Sequence, residues 1–213
     1  MLIAFDLDGT LVDSRRDLAE SANALLAFYL ARPLEQRQIV GMVGEGAARL
    51  VELVCAAAGL DAVPADALDR FLRIYDARLL NHTRGYPGTE EMLRQAEQKA
   101  TLAVLTNKPE AASRTILQGT GLLGFFRDVV GGDSQWGRKP EPAGLRWLLA
   151  RAGAAPAEAL MVGDSHVDLL VARAAGVRFC LARYGFGHAS VGETGLGPED
   201  FGIDRPTDLL RHL

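Results

Sequence analysis

Two aspartates separated by one residue, Asp6 and Asp8, directly follow a short apolar run at positions 2–5. Such a run is typical of a buried strand in a parallel sheet. Because side chains two positions apart on an extended backbone point to the same side, both carboxylates are expected to face one spot. Two unit charges ~4 Å apart repel by roughly 4 kcal/mol at an effective dielectric constant of ~20. A proton or a cation must therefore separate them, and Mg²⁺ is the hard divalent cation usually found with phosphate.

Three further polar clusters each come after a predicted strand, at positions 101–105, 129–130 and 160–162. These clusters contain Thr106 with Asn107, Lys139, and Asp164 with Asp168. The carboxyl ends of parallel strands meet at one edge of a sheet, where ligands of such folds bind. The sequence therefore predicts that all of these side chains belong to a single site.

Each of these residue types has a chemical use at such an edge. The Thr106 hydroxyl and the backbone amide of Asn107 can hold phosphoryl oxygens at the start of a helix. Lys139 can neutralise a nucleophilic carboxylate and the group being transferred. Asp164, at a strand end, is predicted to bind a metal, and Asp168 one helical turn later to orient Asp164, Lys139 or a metal-bound water. Taken one by one, the same residues would also serve as helix caps, turn residues or a surface lysine.

The elements that must position these residues fall into two groups. Positions 15–84 carry helical periodicity and no strand signal, which predicts a helical insert interrupted by the Gly-rich stretch 41–46. The stretch 82–88 is rich in turn residues and is interpreted as a return linker. From there on strands and helices alternate, which favours an α/β fold with a parallel sheet covered on both faces. The Gly-rich stretch 185–206 is predicted to be loop, followed by a short helix at 207–213.

Composition limits the range of partners. The chain has 213 residues, a formal net charge of −4 and a pI near 5.6, so neither nucleic acid nor an anionic membrane is an expected partner. Cys55 and Cys180 lie in apolar runs and are interpreted as buried hydrophobic residues. No apolar run reaches the ~18 residues of a membrane span and the start shows no secretion signal, which predicts a cytoplasmic protein.

Four stretches, taken together, resemble the motifs of haloacid dehalogenase-like (HAD) phosphatases. They are DLDGTLVDS from Asp6, LTNKP, GRKPEP and GDSHVD, and they occur in the family's order across the whole chain. The resemblance implies a Rossmann-like core, formed by residues 1–14 and 85–213, with strand order 5-4-1-2-3 when the predicted strands are numbered along the chain. It also implies that residues 15–84 form the family's inserted α-helical cap.

The resemblance further implies roles for individual residues. Asp6 would be the nucleophile that forms an aspartyl-phosphate, and Asp8 the general acid and base. Mg²⁺ would be bound by Asp6, the backbone carbonyl of Asp8 and Asp164. Thr106, the Asn107 amide and Lys139 would hold the other phosphoryl oxygens, which makes a small phosphorylated metabolite the expected partner of a monomer or homodimer.

The Gly-rich break in the helical insert bears on the substrate. Gly44, Glu45 and Gly46 resemble the cap loop of phosphoglycolate phosphatases, and free amides at a helix start can hold a small anion. Glu45 departs from that pattern, in which a neutral residue or Asp is expected, and its negative charge beside a substrate carboxylate argues for another substrate. The resemblance implies 2-phosphoglycolate as the substrate, and the charge of Glu45 keeps another small sugar phosphate as the alternative.

Two other enzymes and a binding protein would share parts of this pattern. A β-phosphoglucomutase-like phosphomutase would share the core and differ in the cap. A haloacid dehalogenase is disfavoured, because that chemistry needs no Mg²⁺ and would not keep Asp8 and Asp164. A phosphate-binding module without activity is disfavoured, because nucleophile, acid, lysine and metal-binding acid are all present.

Overall fold

A six-stranded parallel sheet forms the centre of the molecule in a computed structural model that describes residues 1–192 and 195–213. Positions 193 and 194 of the predicted Gly-rich loop lie outside the described residues. The strands are β1 Leu2–Phe5, β2 Val12–Asp13, β3 Arg84–Gly85, β4 Thr101–Leu105, β5 Asp128–Val130, β6 Ala159–Gly163, β7 Arg178–Ala182 and β8 Phe201–Ile203. The α-helices are α1 Arg15–Phe28, α2 Gln36–Val40, α3 Ala47–Ala57, α4 Ala67–Asp76, α5 Thr89–Ala96, α6 Glu110–Gly119, α7 Ala143–Ala152 and α8 His166–Ala175.

The strand order of the large sheet is β5-β4-β1-β6-β7-β8, and every neighbouring pair is parallel. Read from the other edge, the first five strands of the core follow the predicted order 5-4-1-2-3, with β8 added beside the fifth. The prediction of loop throughout 185–206 was therefore wrong at Phe201–Ile203. A three-residue strand shows no alternation that distinguishes it from a loop, but Ile203 is buried and the strand pairs with β7.

Two hydrophobic clusters cover the two faces of the sheet. Alternate residues of β1 divide between them, since Ile3 and Phe5 belong to one cluster and Leu2 and Ala4 to the other. The side with Leu2 is covered by α7 and α8, and the side with Phe5 by α5 and α6, whose cluster also includes residues of the insert. Covering both faces leaves the carboxyl ends of the strands as the open edge.

The helices α1 to α4 pack on one another between positions 15 and 76. The chain enters this insert through β2 and leaves it through β3, which pair as a two-stranded antiparallel ribbon. Arg84 and Gly85 were predicted to lie in a linker because the stretch 82–88 is rich in turn residues, and a strand of two residues is too short to show a periodicity that would reveal it. The buried Asp17 carboxylate on α1 accepts hydrogen bonds from the backbone of His82 at 2.9 Å and of Thr83 at 2.8 Å, which ties the return segment to α1.

Among the described residues, no helix is long and apolar enough to cross a membrane.

Candidate active site

Asp6, Lys139 and Asp168 form a buried ionic chain at the carboxyl edge of the sheet. Asp6 follows β1, and its Oδ1 accepts a hydrogen bond from Lys139 Nζ at 2.7 Å. The same ammonium donates to Asp168 Oδ1 at 2.6 Å. The Lys139 side chain is 2% exposed, so this contact is screened little by water. This ionic contact joins Asp6 to Lys139, which lies more than a hundred positions further along the sequence. The predicted sheet topology requires such a meeting.

Asp168 serves two structural purposes at once. Its Oδ2 accepts hydrogen bonds from Ser165 at the start of α8, from the backbone N–H at 3.0 Å and from the hydroxyl at 2.6 Å. The helix-capping interpretation is therefore correct, but it leaves Oδ1 of Asp168 for Lys139. Among the three targets predicted for Asp168, the side chain contacts Lys139.

Asp164 is enclosed by two glycine-containing loops. A Cβ built on Gly9 would lie 2.1 Å from Asp164 Oδ2, and one built on Gly185 would lie 2.3 Å from Asp164 Cβ. The Gly187 N–H donates to Asp164 Oδ2 at 2.7 Å. Gly9 also has φ of +88°, which a residue with a side chain rarely adopts. A side chain at position 9 or 185 would collide with Asp164, so the close packing of backbone against this carboxylate requires glycine at both positions.

The donor set fits a hard divalent cation. Asp6, Asp164 and Asp168 each offer a carboxylate oxygen, and these oxygens all lie within 4.8 Å of one another. Lys139 is shared between Asp6 and Asp168, so Asp164 is left without a cationic partner among the described residues. Three buried carboxylates beside one ammonium carry excess negative charge, and oxygen ligands of this kind suit Mg²⁺ or a similar ion.

Burial is the main cause of the shifted pKa values of Asp6 and Asp164. Burial raises the pKa of Asp6 to about 6; Lys139 opposes this rise, while the charges of Asp168 and Asp8 add to it. Burial also raises the pKa of Asp164 well above its usual range, helped by Asp168 and Asp6 and opposed by the Gly187 N–H. A bound cation would lower both pKa values, because it favours the ionised carboxylates.

This displaced pKa predicts how the stability of the metal-free protein depends on pH. The pKa of Asp6 is higher in the folded protein, at about 6, than the ordinary 3.8, so the folded state binds more protons between these values and its stability falls as pH rises. Asp6→Asn removes that penalty. In EDTA, we expect the free energy of unfolding of the variant minus that of wild type to be about 2 kcal/mol larger at pH 7.5 than at pH 4.5, measured by urea unfolding. A pH-independent difference would contradict this interpretation.

Asp8 has two partners, neither of which was predicted from the sequence. Its Oδ1 accepts a hydrogen bond from the Ser14 hydroxyl at 2.6 Å, and its Oδ2 lies 2.8 Å from Lys108 Nζ. Lys108 also donates to the Tyr75 hydroxyl of α4 at 2.8 Å, and its side chain is only 5% exposed. Burial alone would lower the pKa of Lys108, but Asp8 and Tyr75 outweigh it and the pKa is raised.

Thr106 and Asn107 both line the cavity above the acids, but their side chains make different contacts. The Thr106 hydroxyl accepts a hydrogen bond from the Lys108 backbone at 3.3 Å. The Asn107 carboxamide accepts from the Lys139 N–H at 2.8 Å and donates to the carbonyls of Lys139 at 3.0 Å and Gly44 at 2.9 Å. The Asn107 side chain therefore fixes the backbone around Lys139 and ties the insert to the core.

Only part of the loop predicted to contact substrate, Gly44 to Gly46, borders the cavity. Gly44 and Gly46 line the cavity together with Ala47, the first residue of α3. Glu45 is exposed and is not among the cavity-lining residues. The concern that its charge would repel a substrate carboxylate therefore loses its basis, because backbone rather than the Glu45 side chain borders the cavity.

The chain belongs to the haloacid dehalogenase-like hydrolases, since the model of that family matches residues 3–182. A phosphoglycolate phosphatase of Cereibacter sphaeroides is 42% identical, over 99% of this chain and 98% of its own. One from Rhodospirillum rubrum is 42% identical, over 91% and 83%. A crystal structure named as a predicted phosphoglycolate phosphatase from Haemophilus somnus has a TM-score of 0.87 and 32% identity, covering 99% of this chain and 96% of that one. The chain is therefore an enzyme of the hydrolase class.

Proposed function

We propose that this enzyme is a Mg²⁺-dependent phosphatase that hydrolyses a small phosphate monoester, 2-phosphoglycolate above others. The observation that carries the proposal is the Asp6–Lys139 contact of 2.7 Å beside the carboxylate of Asp164. This arrangement offers a nucleophile, a fixed cation and a place for a second cation at one point. The names of the Cereibacter and Rhodospirillum relatives support the choice of substrate.

In the proposed reaction, an Asp6 carboxylate oxygen attacks phosphorus and the bond from phosphorus to the ester oxygen breaks. Asp8 gives its proton to the departing alkoxide and then takes one from the water that hydrolyses the aspartyl-phosphate. Thr106, the Asn107 amide and Lys139 hold the phosphoryl oxygens. Phosphorus is released as inorganic phosphate, and Asp6 is regenerated.

Asp6, Asp164 and the backbone carbonyl of Asp8 are the proposed ligands of Mg²⁺. When bound, the ion neutralises charge on the phosphoryl oxygens and on the attacking carboxylate. Asp168 stays bonded to Lys139 and keeps the ammonium beside Asp6.

Residues 15–84 are proposed to act as a cap over the site, with 1–14 and 85–213 as the catalytic core. The support comes from contacts across the cavity, where Lys108 of the core reaches Tyr75 of α4 and Asn107 reaches Gly44. A small substrate would then be enclosed between the carboxylates and the apolar side of the insert.

The test is phosphate release from a panel of small phosphate esters, with Mg²⁺ and with EDTA. We expect activity with Mg²⁺ only and the highest kcat/KM for 2-phosphoglycolate. Asp164→Asn should lower activity by at least ~10²-fold and abolish the thermal stabilisation that Mg²⁺ gives the wild type, because the ion loses a charged ligand. The exposed Asp69→Asn is the matched control and should behave as wild type. Equal activity in EDTA would refute the metal assignment, and no preference for 2-phosphoglycolate would reduce the proposal to a general phosphatase.

A further inference from the structure

Lys108 is a buried lysine that the proposed reaction does not use. The chain has only three lysines, Lys99, Lys108 and Lys139, and two of them are buried at this site. Lys139 bonds to the two carboxylates below the phosphoryl position and is not among the cavity-lining residues, whereas Lys108 lines the cavity itself. Burying an ammonium is costly, so its position calls for an explanation beyond packing.

The surroundings of Lys108 leave room for a ligand contact. In the described part of the chain, its ammonium has two polar partners, Asp8 Oδ2 at 2.8 Å and the Tyr75 hydroxyl at 2.8 Å. An ammonium has three N–H donors, so one remains for a ligand. The ammonium also lies 4.3 Å from the centre of the Tyr75 ring, which holds it against the wall of the insert.

The charge balance of the cavity points to the same residue. Lys108 is the single cationic side chain among the described cavity-lining residues, which also include acids of the core and Asp76 of the insert. The insert contributes mostly apolar side chains to the lining: Leu18, Val43, Leu50, Phe71 and Leu72. A substrate with a second negative group cannot find its counter-charge on the insert, and leaving that group buried and unpaired would prevent tight binding.

The short distance between Asp8 and Lys108 limits how far the second negative group of the substrate can lie from the ester oxygen. Asp8 is proposed to protonate the ester oxygen, so this oxygen must lie within hydrogen-bond reach of the carboxylate that Lys108 contacts. A carboxylate one methylene away from the ester oxygen has its own oxygens about 3 Å from it. Such a carboxylate would reach Lys108 at the wall of the cavity that Tyr75 of α4 forms.

We propose that Lys108 is the specificity residue of this enzyme and binds the carboxylate of a 2-phosphorylated hydroxy acid, while Tyr75 holds it in place. The inference rests on the proposed function and adds to it the group that recognises the carboxylate. It predicts that selectivity depends on one charge at the junction of core and insert.

The test compares two esters that differ in that charge alone: 2-phosphoglycolate and ethylene glycol monophosphate, in which a hydroxymethyl group replaces the carboxylate. We expect wild type to prefer 2-phosphoglycolate by at least tenfold in kcat/KM. In Lys108→Met, we expect this preference to fall by at least tenfold, mainly through a higher KM for 2-phosphoglycolate. The variant also takes a partner from Asp8, which lowers kcat for both esters and cancels in the ratio.

Two further variants complete the experiment. Lys99→Met makes the same chemical change at an exposed lysine whose ammonium donates to the carbonyl of Leu213. This variant should keep the wild-type preference for 2-phosphoglycolate. Should Lys108→Met fail to fold, Lys108→Gln keeps a hydrogen-bond donor beside Asp8 without the charge and should show the same loss of preference.

The outcomes separate the inference from the proposed function. Hydrolysis of both esters by wild type without preference, or an equal loss on both esters in the Lys108 variant, would overturn the role of Lys108 and leave the phosphatase standing. Failure of wild type to hydrolyse either ester with Mg²⁺ would overturn the proposed function and the inference with it.

Discussion

Asp6→Asn is expected to abolish phosphate release, with kcat lowered on the order of 10⁴-fold or more, as removing a nucleophile does in other enzymes. An amide oxygen is a far weaker nucleophile than a carboxylate, and no aspartyl-phosphate can form on it. The measurement is phosphate release from 2-phosphoglycolate at saturating Mg²⁺. Trapping of a labelled phosphoenzyme should fail in parallel.

The fold should survive this change. The substituted carboxamide has the shape of the carboxylate, and its oxygen can still accept the hydrogen bond that Asp6 takes from Lys139 at 2.7 Å. Asp69→Asn, the same substitution on the exposed side of α4, provides the control and should retain full activity. A folded Asp6→Asn protein with more than a few per cent of wild-type kcat would rule out Asp6 as the nucleophile.

The residues brought together around Asp6 could be predicted because they all follow strands. Alternation of strand and helix implies a parallel sheet, and a parallel sheet gathers its carboxyl ends at one edge. Topology of this kind can be predicted without knowledge of side-chain packing. Asp164 and Lys139 were therefore expected beside Asp6 although they are far apart along the chain, and the structure has them there.

Lys108 and Tyr75 could not be predicted in the same way. A lone lysine after a strand is ordinarily a solvated surface residue, and Tyr75 continues the apolar stripe of α4. Their contact at 2.8 Å joins the core to the insert, and contacts between segments distant along the chain leave no periodic signal. The adjacency of Lys108 to Thr106 and Asn107 was the one available sign.

The short strands were missed for a different reason. β2 and β3 have two residues each and β8 has three, too few to show a period of two. Their pairing is decided by the segments that lie next to them in the fold.

The position of the Glu45 side chain could not be predicted either. Its residue type suggested a charge in the site, whereas the side chain is exposed.

Lys139 should be the residue whose loss affects stability and activity together. Its ammonium lies 2.7 Å from Asp6 and 2.6 Å from Asp168, and Asp164 belongs to the same cluster. Removing one partner of a buried ion pair typically costs about 3–5 kcal/mol, because the remaining charges stay buried without compensation. We expect Lys139→Met to lose that much free energy of unfolding in EDTA at pH 7.5, by urea unfolding. We also expect kcat to fall by about 10²–10³-fold, because charge on the transferring group is no longer neutralised.

The pH dependence distinguishes a lost charge from lost packing. Burial already raises the pKa of Asp6 to about 6 with Lys139 present, and without the opposing charge of Lys139 it should rise further. Below pH 6 the Asp6 carboxyl is then protonated in the folded variant, and its share of the uncompensated charge disappears. The destabilisation by Lys139→Met should therefore be smaller at pH 5 than at pH 7.5, whereas Lys99→Met should change little at either pH. An equal loss at both pH values would mean that Lys139 supports the site by packing, and the electrostatic account of this acidic cluster would have to be abandoned.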